Sequence, residues 1–126
     1  MLKSYGWRCS PLSSPLSSRS LKMHGVMNTT KWNELWTAMC TLHPRPRWRT
    51  REVDSGYVSD WDRDWFYHFR ASGFHTIEWV EITTDTPSQH QSVKAVLRKI
   101  HVPADELDSA FKIYGYIPDA KYVDYL

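Results

Sequence analysis

Apolar side chains recur at helical spacing in two stretches of the chain, one near each end of its central region. Trp32, Leu35, Trp36, Met39 and Leu42 share one side of a helix, which predicts an amphipathic helix from about Lys31 to Leu42. Thr30 is the expected N-cap, and Pro44 and Pro46 stop the helix because proline has no amide hydrogen to continue the ladder. A second helix should begin after Thr86, with Pro87 in the first position, where its missing N–H costs nothing. Val93, Val96, Leu97 and Ile100 make its apolar face, and Pro103 closes it.

Between the helices the period changes. Trp61 to Ile82 reads WDRDWFYHFRASGFHTIEWVEI and holds seven aromatic residues and two histidines. Aromatic and β-branched runs bounded by Asp, Ser and Gly predict strands. Four are expected, at Arg47 to Val53, Tyr57 to Trp61, Trp65 to Phe69 and Phe74 to Ile82. The turns between them would be Asp54-Ser55-Gly56, Asp62-Arg63-Asp64 and Arg70 to Gly73, giving an antiparallel meander. A fifth strand is expected at Phe111 to Ile117 and a sixth at Tyr122 to Leu126, after a turn at Pro118-Asp119-Ala120. The order α-β-β-β-β-α-β-β predicts an α+β domain, a sheet of four to six strands with both helices packed on one face.

Residues 1 to 26 have no such pattern. They hold seven serines, the tandem PLSSPLSS and no acid, a composition that buries too little apolar surface to offset its ordering entropy. The expected organisation is a Ser/Pro-rich tail or over-extended start over 1 to 26, then one domain over 27 to 126 beginning at Met27. The tail carries Lys3, Arg8, Arg19 and Lys22, so the formal charge of +2 conceals a mildly acidic domain with 12 basic against 14 acidic side chains. That balance speaks against nonspecific nucleic-acid binding, which draws on a basic domain. Cys9 and Cys40 are too few for a disulfide framework, which predicts a reducing compartment and the cytoplasm. No apolar run is long enough to span a membrane.

The strand register predicts which side chains share a face. Trp48, Thr50, Val58, Asp60, Phe66, His68, His75, Ile77 and Trp79 would lie beneath the helices. The opposite face would carry Arg47, Arg49, Arg51, Tyr57, Trp61, Trp65, Tyr67 and Glu78, with Phe69, Phe74 and Val80. Arg, Trp and Tyr are enriched where proteins bind partners, because each offers a large contact with a polar end. Those eight residues are the candidate partner-binding set. A one-residue bulge would exchange the two faces.

Other chemistry is thinner. No nucleotide loop, zinc-spacing motif or nucleophile elbow occurs, so no catalytic residue and no cofactor is assigned. Asp60, Asp62 and Asp64 begin like a calcium loop, but Trp65 and Ala71 stand where that loop needs Gly and Glu, and the acids read better as turn formers. Asp60, His68 and His75 on one face are the alternative metal or acid–base group. Arg47, Arg49, Trp61 and Tyr67 form a second alternative, binding of single-stranded nucleic acid by stacking and charge.

WDRDWFYHF at Trp61 to Phe69, IEWVEI at Ile77 to Ile82 and YGYIPDAKYVDYL at Tyr114 to Leu126 resemble a family of short bacterial proteins known only as a domain of unknown function. The likeness spans about Thr30 to Leu126 and departs from the family at Arg63, where Gly is usual. It implies a bacterial, cytoplasmic, single-domain protein and carries over no catalytic residue. The expected function is therefore a non-enzymatic module that binds another protein, its most concrete form a bacterial immunity protein holding a toxin.

Overall fold

A computed structural model describes residues 22–69 and 73–126. The expectation for residues 1–21 and that for the loop at 70–72 lie outside the described residues. The elements in chain order are β1 (Met23–Gly25), α1 (Thr29–Thr41), β2 (Arg47–Glu52), β3 (Ile77–Thr83), α2 (Pro87–Ile100), β4 (Ala104–Glu106), β5 (Ala110–Tyr114) and β6 (Tyr116–Pro118). The α+β class holds: two helices accompany a four-stranded antiparallel sheet of order β2-β3-β5-β4 and a two-stranded sheet of β1 and β6.

Both helices form for the reasons their sequences suggest. In α1 the buried positions Trp32, Leu35 and Met39 are the apolar stripe, although the cap is Asn28, whose side chain accepts the Lys31 N–H at 2.8 Å, and not Thr30. In α2 Thr86 caps as expected, accepting the Gln89 N–H at 3.0 Å. Gln89 answers by accepting the Asp85 N–H at 2.6 Å and donating to the Pro44 carbonyl at 2.9 Å. One buried amide thus closes the start of α2 and ties it to the loop after α1. The helix ends at His101, which takes a left-handed φ of 67° and returns its N–H to Leu97.

The helices cover one face of the larger sheet. Trp32, Leu35, Met39, Val93 and Leu97 join Trp48, Val80, Ile82, Phe111 and Ile113 in a single cluster. Each such side chain contributes about 1.5–3 kcal/mol on burial, which makes this layer the main source of stability.

Two of the strands expected between the helices take another form. Tyr57 to Trp61 runs along the outer edge of β2 without forming a strand: Val58 bridges Arg51, the Ser59 N–H donates to the Thr50 carbonyl at 2.8 Å, and Asp62 beyond it bridges Trp48. Trp65 to Phe69 is a compact turn. Asp62 accepts the Asp64 N–H at 2.8 Å, and Asp64 accepts the N–H groups of Phe66 and Tyr67 at 2.9 and 3.0 Å. These side chains satisfy the backbone locally and outcompete the strand ladder that the aromatics favour. Trp65 and Phe69, four positions apart, both turn inward, and Trp65 donates its indole N–H to the Pro46 carbonyl at 2.9 Å. Arg63 does not need glycine's freedom here, since among the described non-glycine residues only His101 has a positive φ.

The register also differs, because β3 carries a bulge. Arg51 opposes Trp79 and Glu52 opposes Ile77, so Glu78 is the extra residue. Beyond it the parity reverses: Val80 and Ile82 face the helices with Trp48, and Trp79 faces away. The expected inward place of Trp79 and outward place of Val80 are corrected accordingly.

The folded unit also begins before Met27. Met23–Gly25 pairs with Tyr116–Pro118, and Val26 donates to the Gly115 carbonyl at 2.9 Å. Gly115 separates β5 from β6 at a point where a Cβ would strike the Ile77 carbonyl oxygen and the Trp32 ring. The expected strand at Tyr122 to Leu126 is an irregular segment lying antiparallel to 102–104, with Leu126 donating to Val102 and Ala104 to Asp124, each at 2.9 Å.

Candidate functional site

The face of the larger sheet turned away from the helices carries charge and aromatic surface together. Strand alternation puts Arg47, Arg49 and Arg51 of β2 on this side. Opposite them across the ladder stand Thr83, Glu81 and Trp79 of β3, then Ala110, Lys112 and Tyr114 of β5, and Asp105 of β4. The middle row, Arg49, Glu81, Lys112 and Asp105, alternates in sign across all four strands. Directly opposed unlike charges stabilise a sheet modestly and fix one another's side chains.

Contacts within this face are short. Arg49 meets Glu81 at 2.8 Å and Arg51 meets Glu78 at 3.2 Å. The Lys112 ammonium lies 4.4 Å from the Trp79 ring centre, and the Tyr114 hydroxyl donates to Asp105 at 2.8 Å. Burial first, and then that bond to a carboxylate, push the Tyr114 phenol up to about 12. Trp61 stands beside β2 with the Arg49 guanidinium 4.6 Å and the Arg47 guanidinium 6.0 Å from its ring. Toward the C-terminal segment the face opens into a hollow of about 490 Å³, where Glu78, Trp79, Lys112, Tyr114, Tyr116 and Tyr122 meet. A larger hollow of about 630 Å³ between the helices is lined by Thr30, Thr37, Ala38 and Thr41 among others and carries no aromatic group.

Of the residues expected to bind a partner, Arg47, Arg49, Arg51, Trp61 and Glu78 come together here. Tyr57 is 62% exposed on the segment beside the edge of β2. Tyr67, 70% exposed, packs against Phe66, which stacks on Trp36 of α1, so it sides with the helix layer. Trp65 is corrected outright: at 1% exposure it is core, while its neighbour Phe66, expected in the core, is 50% exposed. Sequence reasoning missed Trp79, Glu81, Lys112, Tyr114 and Asp105. The alternation of AFKIY over Ala110–Tyr114 was the available signal for two of them.

The alternative metal group is not assembled. His68 bonds Asp62 at 2.7 Å and lies 3.6 Å from Asp64. Among the described residues no three or more His, Cys, Asp or Glu side chains are placed to hold a metal ion. Asp62 and Asp64 hold His68 above its ordinary pKa, chiefly because the Asp62 carboxylate accepts a hydrogen bond from the imidazole. Burial pushes Asp62 up, but the Asp64 N–H and His68 outweigh it and leave the carboxyl below its usual value.

A hydroxyl–imidazole–carboxylate chain does occur on the helix side. Thr84 Oγ1 is 2.9 Å from His90 Nδ1, His90 Nε2 is 2.8 Å from Glu106, and Lys94 closes on Glu106 at 3.1 Å. Hydrogen bonding from His90 and then Lys94 lowers the Glu106 pKa. Thr84 is a buried residue and the His90 ring stacks on Phe111, so this chain joins the end of β3 to α2 and β4.

No helix among the described residues is long and apolar enough to cross a membrane. No curated protein and no solved structure matches the chain. A family model does match, over residues 17–120, a span that takes in β1 and every strand of the open face: the chain belongs to the family of unknown function DUF6678.

Proposed function

We propose that this protein is a non-enzymatic docking module that holds another protein on the open face of its four-stranded sheet. The carrying observation is the preset order of that face. Arg49 and Arg51 are already fixed to Glu81 and Glu78 at 2.8 and 3.2 Å, Lys112 lies over the Trp79 ring, Tyr114 is bonded to Asp105, and Trp61 lies against Arg49. A surface ordered before binding loses less side-chain freedom on contact, and large aromatics beside arginines are where interface energy concentrates. The pairing also weakens any field for a phosphate chain, which favours a protein over a nucleic acid. In its most specific form the partner is a toxin and the module its inhibitor, at work in a bacterial cytoplasm; the small, α+β, motif-free chain with two cysteines supports that form.

Site-specific cross-linking tests the reading. A photoreactive amino acid at Trp79 should yield one stoichiometric adduct in cells, and the same group at the exposed Thr37 of α1 should yield none. The captured protein, purified, should then bind the Trp79→Ala variant at least about tenfold more weakly, since central aromatic truncations typically cost about 2 kcal/mol or more. Equal adducts from both positions, or unchanged affinity, would overturn it.

A further inference from the structure

The corner of the open face where β2 begins is built differently from the rest. Arg49 and Arg51 each have a carboxylate of their own, at 2.8 and 3.2 Å. Arg47 and Arg63 share one: Asp85 lies 3.5 Å from the first guanidinium and 3.6 Å from the second. Charge-assisted N–H···O bonds ordinarily close to about 2.7–2.9 Å, so Asp85 bridges the two without gripping either. The Arg47 Nε is buried and has no hydrogen-bond partner. A second donor of Arg63 reaches only the Arg45 carbonyl, at 3.3 Å. Two guanidinium groups around one carboxylate leave an unbalanced positive charge beside Trp61, which is 37% exposed.

We infer that this corner is a carboxylate-recognition element: an acidic side chain of the docked protein enters between Arg47 and Arg63 with its stem against Trp61. This rests on the docking reading and names the chemistry of the partner at one point. Asp85 acts as a placeholder that keeps the two forks apart and ordered when no partner is bound; its backbone N–H, held by Gln89, fixes its position. Arginine suits the task because its planar fork matches a carboxylate with two parallel bonds. A phosphate chain fits less well, because Glu81 and Glu78 follow along the same face and would oppose successive phosphates. An isolated Asp or Glu meets no such repulsion.

The test uses the full chain and a labelled synthetic peptide carrying a single Glu among neutral residues, with the same peptide carrying Lys in its place and a single-stranded oligonucleotide of equal length beside it, read by fluorescence anisotropy at low salt. The acidic peptide should bind best. Arg63→Ala and Arg47→Ala should each weaken it about fivefold, the scale of a partly exposed ion pair, and Asp85→Asn should strengthen it. Arg98→Ala, an exposed cation in the last turn of α2 and away from the open face, should leave it unchanged. Arg63 is the more exposed of the two arginines, so its variant keeps the test valid should Arg47→Ala disturb the fold. An oligonucleotide bound as tightly as the acidic peptide, or acidic binding indifferent to Arg63 and Asp85, overturns the inference. The cross-linked partner separates the two claims: affinity lost in Trp79→Ala but unmoved in Arg63→Ala and Asp85→Asn would leave docking standing and remove the carboxylate element.

Discussion

The two faces of the four-stranded sheet are held by different forces, although the same strands supply both. On the helix side Val80, Ile82, Phe111 and Ile113 are fully buried and gain by leaving water. On the open side Arg49, Glu81, Lys112 and Asp105 share the rung between them and gain from facing one another and from the Trp79 and Tyr114 rings beside them. Apolar burial is worth several times a half-exposed ion pair, so one face makes the fold and the other is available for recognition. The segment from Trp61 to Phe69 compresses this contrast into a few residues, since it sends Trp65 and Phe69 inward and leaves Trp61, Phe66 and Tyr67 at the surface.

The sharpest way to break the comparison is to truncate adjacent aromatics. Trp65→Ala should destabilise by about 3–5 kcal/mol in chemical denaturation, because it removes a buried indole and leaves the Pro46 carbonyl without its donor. Phe66→Ala, next in sequence, should stay within about 1 kcal/mol. Equal losses would mean that the turn does not divide its side chains as described.

Gly115→Ala comes next. Its methyl group must displace the Ile77 carbonyl or the Trp32 ring, which should cost about 1–3 kcal/mol, read as a lower melting temperature. A tolerated alanine would show that the passage from β5 to β6 is looser than its contacts imply.

Smaller still is the open face itself. Arg49→Ala should change stability by no more than about 1 kcal/mol, since its pair with Glu81 is partly exposed. A loss as large as that of Trp65 would place the charge row in the core's ledger and blur the two faces.

The weakest effect is one of titration. His68 should titrate above its ordinary value of 6.5 in an NMR pH series, and Asp62→Asn should bring it back toward that value. A folded pKa above the unfolded one stabilises below about pH 6.5 and loses that contribution as pH rises through the folded value. Asp62 runs the other way. Its lowered pKa stabilises above the ordinary 3.8 and fails as pH falls through the folded value. Both contributions are complete between about pH 3.8 and 6.5, where the turn should resist proteolysis best.

The helices were legible because caps and apolar stripes act within one turn of chain: Thr86, Pro87 and the Trp32–Leu35–Met39 spacing all lie at short range. The strands at Tyr57 to Trp61 and Trp65 to Phe69 were misread because propensity ranks Trp, Phe and Tyr as strand formers and is blind to Asp64 collecting two amides. The bulge at Glu78 left no mark in composition, yet it alone reversed Trp79 and Val80. Arg47, Arg49, Arg51 and Trp61 were found because they lie on the β2 side of that bulge or beside β2. Trp79 and Glu81 were lost beyond it. Lys112 shows its outward place in the alternation of AFKIY, but its row with Glu81 depends on a pairing distant in sequence, which no local pattern encodes.

The row of Arg49, Glu81, Lys112 and Asp105 also constrains how relatives of this chain can diverge. Each member opposes its neighbour's charge, so reversing one sign sets like charges against each other on every side where it has a partner. The row can be inverted as a whole or neutralised from an end, but it cannot be edited singly at its centre without loss. Homologues carrying an acid at the position of Arg49 should therefore carry a base at that of Glu81, and the four positions should be inherited as a linked set.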